Sequence, residues 1–366
     1  MELFEIHLVD SVKAPYTVEV ADMNGNGMMD IVVGSTGDYF IAWYEAPYWK
    51  KHIIGTNTRG NISAATYDID GDGELEVAVC SEFNMGVAKD AAYLQWFDAV
   101  DGPESEWVSY KIDDLSFAHG GHFADIDGDG VDEFVVGTMR GTISPEPLDW
   151  DDPGLLVYYK IPEHPRKDRW MRHVIDDNVK RLHNKHIIDL DGDGRLDIIA
   201  AAKDGVLWYE PDASKERIFK KHIINDHDAG NVFVADLDGD GVNEIVSLEA
   251  WHGTELVWYK APDDLRAGKW IRHVIDDTFD SAHAVCCADM NNDGKIEIIA
   301  GFRGIGTSLN YYEPVDIKAN KWKKRLIDDN MGITGVVAVD IDGDGKLDIV
   351  GAGQTTNTLK WYRNLM

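Results

Sequence analysis

Seven times along the 366 residues an aspartate opens the nine-residue pattern D-x-[DN]-[GN]-[DN]-G-x-x-[DE]. Three side-chain oxygens at alternate positions, a glycine at the sharp turn and a closing carboxylate form an oxygen cage for a hard cation, and calcium suits such a cage. The ligand positions are Asp22, Asn24, Asn26 and Asp30 in the first copy, then Asp68, Asp70, Asp72 and Glu76, then Asp125, Asp127, Asp129 and Glu133. They continue with Asp189, Asp191, Asp193 and Asp197, with Asp236, Asp238, Asp240 and Glu244, with Asp289, Asn291, Asp293 and Glu297, and with Asp340, Asp342, Asp344 and Asp348. An EF-hand loop runs twelve residues between helices, whereas these close at the ninth position and adjoin strand-like segments. The expected role is structural, with up to one calcium per copy and no organic cofactor.

Histidine supplies a second set of chemically capable residues. His7, His52, His173, His222 and His273 share one slot of a recurring Trp/Phe-x-x-His-x-Ile/Val segment and read as packing residues. His119, His183 and His283 do not: each stands six residues before the first aspartate of its own copy, where other copies have Tyr16, Ile62, Gly230 and Thr334. Segments expected to meet them at the same end carry Arg140, Lys203, Glu249, Trp251, His252, Arg303 and Gln354. Trp150 and Trp251 are the tryptophans outside the repeated slots, and both fall in these segments. Clustered imidazoles, cations and aromatic platforms in an acidic protein point to one site that reads an anionic ligand.

The elements that must position these groups follow from the repeat. The acidic loops recur at intervals of 46, 57, 64, 47, 53 and 51 residues, too long for a nonapeptide β-helix and suited to a four-stranded unit. An alternating stretch leads into each loop, a β-branched run leaves it, and an aromatic strand such as Trp208-Tyr209 or Trp258-Tyr259 follows. The fourth strand contains the histidine slot. The seventh copy ends after Trp361-Tyr362, while Phe4-Glu5-Ile6-His7-Leu8-Val9-Asp10 matches a fourth strand. The expectation is therefore an all-β, seven-bladed β-propeller of four-stranded antiparallel blades. It forms one domain over residues 1–366, closed by the N-terminal strand at 3–10 pairing into the last blade. Strand direction then puts the calcium loops on one face and the histidine and cation cluster on the other.

Composition agrees. Of the 66 acidic residues, 25 occupy cage positions, which accounts for much of the formal net charge of -31. That balance excludes nucleic acid as a partner. There is no apolar run long enough to span a bilayer, so no membrane insertion is expected, and a monomer is the expected state. Three cysteines form neither a disulfide framework nor a zinc motif. The segment Met1-Glu2-Leu3-Phe4-Glu5 has no signal-peptide character. Localisation stays open between the cytoplasm and export with the signal removed.

The acidic repeats and aromatic strands resemble those of FG-GAP/VCBS-repeat propellers over the whole chain. Glu249-Ala250-Trp251-His252-Gly253, Ser281-Ala282-His283-Ala284, Gly301-Phe302-Arg303-Gly304 and the stretch from Gly353-Gln354-Thr355 to Trp361-Tyr362 are more particular. They resemble the group of L-rhamnose-α-1,4-D-glucuronate lyases, related rhamnosidases and the propeller part of aldos-2-ulose dehydratase, although the position of Gln354 often carries arginine there. The resemblance implies a carbohydrate-active lyase that eliminates at a rhamnosyl-glucuronate linkage in polysaccharide degradation. In that chemistry Arg303 or Arg140 neutralises the carboxylate with help from Lys203, and His183, His283 and His119 supply base and acid. Tyr16 is an alternative acid, and Trp251 stacks on the sugar. Ordinary glycoside hydrolysis needs two flanking carboxylates, and this face offers chiefly Glu82 and Glu249. A non-catalytic sugar- or protein-binding propeller and a keto-sugar dehydratase are the alternatives.

Overall fold

The computed structural model describes residues 2–56, 58–83, 93–141, 151–212 and 218–366; Trp150 lies outside them. Seven separate four-stranded antiparallel sheets stand as blades. Six run through consecutive strands, the first being Pro15–Ala21, Asp30–Ser35, Phe40–Glu45 and Lys50–Thr56. The seventh takes Ile333–Val339, Asp348–Gly353 and Thr358–Asn364 from the C-terminus and Phe4–Asp10 from the N-terminus. There Ile6 pairs opposite Tyr362 and His7 opposite Trp361, so the ring closes as the sequence predicts. Closure leaves no blade without a neighbour on either side.

Burial explains the four strand types. Every second strand is buried at each position, as in Asp197–Ala202 and Glu244–Glu249, because both its faces pack against neighbouring blades. That is why these runs, after their opening carboxylate, are mostly apolar on both faces where a half-exposed strand would alternate. Outer strands such as Lys50–Thr56 are largely exposed. The hydrophobic cores lie between blades; one joins Ile31, Val33 and Tyr44 of the first to Val350, Leu359 and Trp361 of the seventh. Histidines of the repeated slot stack on the third-strand aromatic of their own blade. Ring centroids are 4.5 Å apart for His7 and Trp361, 4.2 Å for His52 and Trp43, and 4.6 Å for His273 and Trp258. Among the described residues no helix is long and apolar enough to cross a membrane.

Each acidic loop folds around its own carboxylates. The closing residue accepts the N–H of the residue after the first aspartate, as in Met23 to Asp30 at 3.0 Å and Leu237 to Glu244 at 3.0 Å. The first aspartate accepts N–H groups of the turn, Gly192 and Gly194 bonding Asp189 at 2.8 and 2.9 Å. Both glycines have positive φ, 74° and 88°, which disfavours a side chain there. In the sixth loop Asn292 takes the first of these positions at φ 56°, a conformation asparagine tolerates. Carboxylates at the first, second and closing positions converge in the second to fifth loops, their oxygens within 4.8 Å of one another. In the second and fourth loops this donor set fits a hard divalent cation, whereas in the third and fifth a lysine, Lys160 or Lys260, reaches the same carboxylates.

Candidate functional site

The inner strands enter at the mouth of the ring opposite the acidic loops, and most of them enter with a bulge. Pairing skips Tyr16 between Pro15 and Thr17, Gly230 between Ala229 and Asn231, His283 between Ala282 and Ala284, and Thr334 between Ile333 and Gly335. A bulge re-aims the residue it frees. The position six residues before each acidic loop is thus a bulge site in four blades, and in the third the irregularity follows His119.

There the side chains meet. The His119 and His183 rings lie 4.4 Å apart, His183 and His283 5.1 Å, and His252 and His283 5.2 Å. His183, His252 and His283 each present a ring nitrogen, the three within 4.8 Å of one another. Backbone carbonyls orient two of the rings: His183 Nδ1 donates to Gly230 at 2.5 Å and His283 Nδ1 donates to Thr334 at 3.1 Å. Their Nε2 atoms are thereby turned away from the backbone, the orientation seen in histidines that ligate a metal. Burial, with lesser contributions from neighbouring cations, lowers His183 to about 4 and His252 to about 2, and holds His283 well below its ordinary value. Burial thus favours the neutral imidazole in all three, the form that binds a transition metal. The donor set fits a three-histidine site for a metal such as zinc.

Tyr16 and His119 stand beside this cluster. The Tyr16 hydroxyl lies 3.1 Å from His119 Nε2 and 3.0 Å from His283 Nε2. One hydroxyl proton serves only one histidine. Because His283 Nδ1 already donates to Thr334, its one free lone pair, on Nε2, accepts from Tyr16, a bond that a metal on that nitrogen would displace, and Tyr16 in turn accepts from His119 Nε2–H. Arg303 Nη2 lies 3.1 Å from both ring nitrogens of His252, and its Nη1 donates to Gln354 at 2.5 Å. Above these groups opens a cavity of about 470 Å³, large enough for a small ligand such as a sugar ring.

The cavity brings together Tyr16, His119, His183, Trp251, His252, Arg303 and Gln354, and His283 lies just beneath, lining a narrower channel of about 190 Å³. Other residues singled out in the sequence lie off the wall. Arg140 is fully buried, 4.0 Å from Asp152 and over the Phe117 ring. Lys203 pairs with Asp228 at 3.2 Å, and Glu249 is held by Arg272 at 2.8 Å and by the Tyr259 hydroxyl. Conversely, Tyr39, Arg59, Glu82 and Phe83 line the cavity. Arg59, Tyr39 and Phe83 escape sequence reasoning because they come from blades one and two, away from the histidine-rich segments. Arg59 is carried by the turn entering the second blade, where a Cβ on Gly60 would lie 2.2 Å from the Phe83 carbonyl oxygen. Glu19 lines the channel deeper in, and burial lifts its carboxyl to about 7.

Comparison with known proteins bears on this geometry. The FG-GAP-like repeat family matches residues 22–79, 189–247 and 236–300. Aldos-2-ulose dehydratase of Phanerodontia chrysosporium is 25% identical over 291 residues, 71% of this chain; the chain spans only 31% of that relative's length. An Agrocybe aegerita lectin that recognises non-reducing terminal N-acetylglucosamine superposes with a TM-score of 0.56 at 14% identity, over 97% of this chain and 86% of the lectin, a likeness of fold. The chain is thus a seven-bladed β-propeller carrying FG-GAP-like repeats, with a distant likeness to aldos-2-ulose dehydratase.

Proposed function

We propose that the mouth of the ring is a metal-dependent elimination site acting on a carbohydrate. The observation that carries this reading is the convergence of His183, His252 and His283 at the floor of a sugar-sized cavity, with Tyr16, His119 and Arg303 around them. His183, His252 and His283 would hold a divalent metal, which would supply Lewis acidity toward a carbonyl or carboxylate oxygen of the substrate. Arg303, fixed by Gln354, faces the cavity with a planar fork suited to a carboxylate. To the Tyr16–His119 pair we assign the proton transfers, taking the proton next to that group and returning one to the departing oxygen. One C–H and one C–O bond break, a C=C bond forms, and water or an alcohol leaves.

The substrate class we favour is a uronate, specifically a rhamnosyl-glucuronate linkage, because the cavity wall carries the two arginines Arg59 and Arg303. A second reading, dehydration of a keto-sugar, is favoured by the likeness to aldos-2-ulose dehydratase. The test compares chelator-stripped and zinc-reconstituted protein on a rhamnose-capped glucuronate glycan such as gum arabic and, separately, on an aldos-2-ulose. A metal-dependent near-ultraviolet chromophore with released rhamnose supports the uronate lyase. Metal-dependent loss of the aldos-2-ulose alone selects the dehydratase. Sugar binding without turnover of either would make the mouth a recognition site and reject both. On the opposite face we propose calcium for the acidic loops, in a structural role.

A further inference from the structure

The seven acidic loops differ at the residue that follows the third-strand aromatic pair. Around the ring it is Glu45, Asp98, Lys160, Glu210, Lys260, Glu313 and Arg363. Pairing places it beside the loop's closing carboxylate, one residue beyond pairs such as Ile31–Tyr44, Phe134–Tyr159 and Ile245–Tyr259. In four blades this neighbour is another carboxylate, and in three it is a cation.

In the third and fifth blades the cation enters the cage. Lys160 Nζ lies 2.5 Å from Asp127, 2.7 Å from Asp129 and 3.4 Å from Glu133. Lys260 Nζ lies 2.8 Å from Asp238, 2.7 Å from Asp240 and 2.9 Å from Glu244. Each ammonium therefore meets the second, third and closing ligand positions together, and its three N–H donors match three carboxylates. The other cations do not do this. Arg363 is 2.8 Å from Asp342 and 3.5 Å from Asp344. Arg166 and Arg266 each bridge a single loop carboxylate to the third-strand acid, Asp70 to Asp98 and Asp191 to Glu210. A calcium ion needs these same oxygens at about 2.3–2.6 Å. It would have to expel a lysine tethered to the cage and then hold a divalent charge beside the displaced ammonium. Tethering makes that lysine a competitor at an effective concentration on the order of millimolar.

From this geometry we infer that the loops of the third and fifth blades are closed by Lys160 and Lys260 in place of calcium, so the ring takes up two ions fewer than it has acidic loops. The inference rests on reading the remaining loops as calcium sites.

The test counts calcium bound to the full chain by native mass spectrometry and elemental analysis, in the wild type and in Lys160→Met, Lys260→Met and the double variant. The wild type should fall two ions short of one per loop, each single variant should gain one ion, and the double variant two. In chelator each variant should melt below the wild type, and calcium should restore it. One ion per loop in the wild type overturns the inference even if a variant fails to fold, as does a folded variant with an unchanged count. No ion in any protein overturns the calcium reading of all the loops, an outcome distinct from one ion per loop.

Discussion

His252 shows what a single residue contributes at the mouth. It belongs to no inner strand, yet its ring joins those of His183 and His283, and Arg303 rests against it. His252→Ala should abolish stoichiometric zinc binding at the mouth and any metal-dependent turnover, while the melting temperature in calcium changes by no more than a few degrees. Retention of zinc by that variant would remove His252 from the site. Tyr16→Phe tests a different role: it keeps the ring but loses the hydroxyl, so zinc content should persist while kcat falls on the order of 10²-fold or more. An unchanged kcat would leave the Tyr16–His119 pair as packing. His119, His183 and His283 were legible in the sequence because they share one offset from a loop that repeats. The convergence of His252 with His183 and His283 was not, because it arrives from a second-to-third-strand segment and meets the others only when the blades close around the axis. Glu19 was illegible for a plainer reason: an alternating strand residue reads as polar whether it faces bulk water or a channel.

Between elements, the ring is tied by a side-chain latch that recurs from blade to blade. A third-strand tyrosine donates its hydroxyl to an aspartate near the end of the preceding blade's outer strand: Tyr44 to Asp10 at 2.7 Å, Tyr209 to Asp176 at 2.8 Å, Tyr312 to Asp276 at 2.7 Å, Tyr362 to Asp328 at 3.0 Å. Burial alone would raise the Asp276 carboxyl, but hydrogen bonds from Lys324, Thr278 and Tyr312 outweigh it and bring the value down to about 2. A carboxylate whose folded value lies below its unfolded one, about 3.9, adds stability above that unfolded value and loses it as pH falls toward the folded one. Asp276→Asn should therefore cost about 2 kcal/mol in denaturant titrations at pH 6, and the difference from wild type should shrink toward zero between about pH 4 and pH 2. A cost that does not change with pH would mean that the contact is steric rather than ionic. The sequence displays the aromatic strands, the histidine slot and the split last blade plainly, since each is a local pattern. It shows the latch aspartates too, but their partners lie in the next blade, and no periodicity within one unit points across that boundary.

The charge of the whole molecule is organised by the acidic loops. Burial, aided by neighbouring carboxylates, lifts closing residues well above the usual range: Asp30 and Asp348 to about 6, Asp197 and Glu297 to about 7, and Glu76 to about 8. For an acid raised on folding, stability is greatest below its unfolded value, near 4, and declines as pH rises through the folded one. The metal-free ring should accordingly lose stability from about pH 4 to pH 8, as these groups across five blades are forced to ionise together. Calcium takes the ionised form, so binding should release protons near pH 6.5 and add about 2.7 kcal/mol per site at a hundredfold excess over Kd. In thermal scans the chelated protein should melt progressively lower between pH 5 and pH 8 while the calcium-loaded protein stays nearly level, so the gap between them widens with pH. A gap that is constant or narrows across that range would show that the closing carboxylates do not control calcium uptake. Equal melting temperatures throughout would mean that the ring is held by its interblade cores and latches alone. Such an outcome would leave the acidic loops' share of the -31 net charge without bound structural counterions.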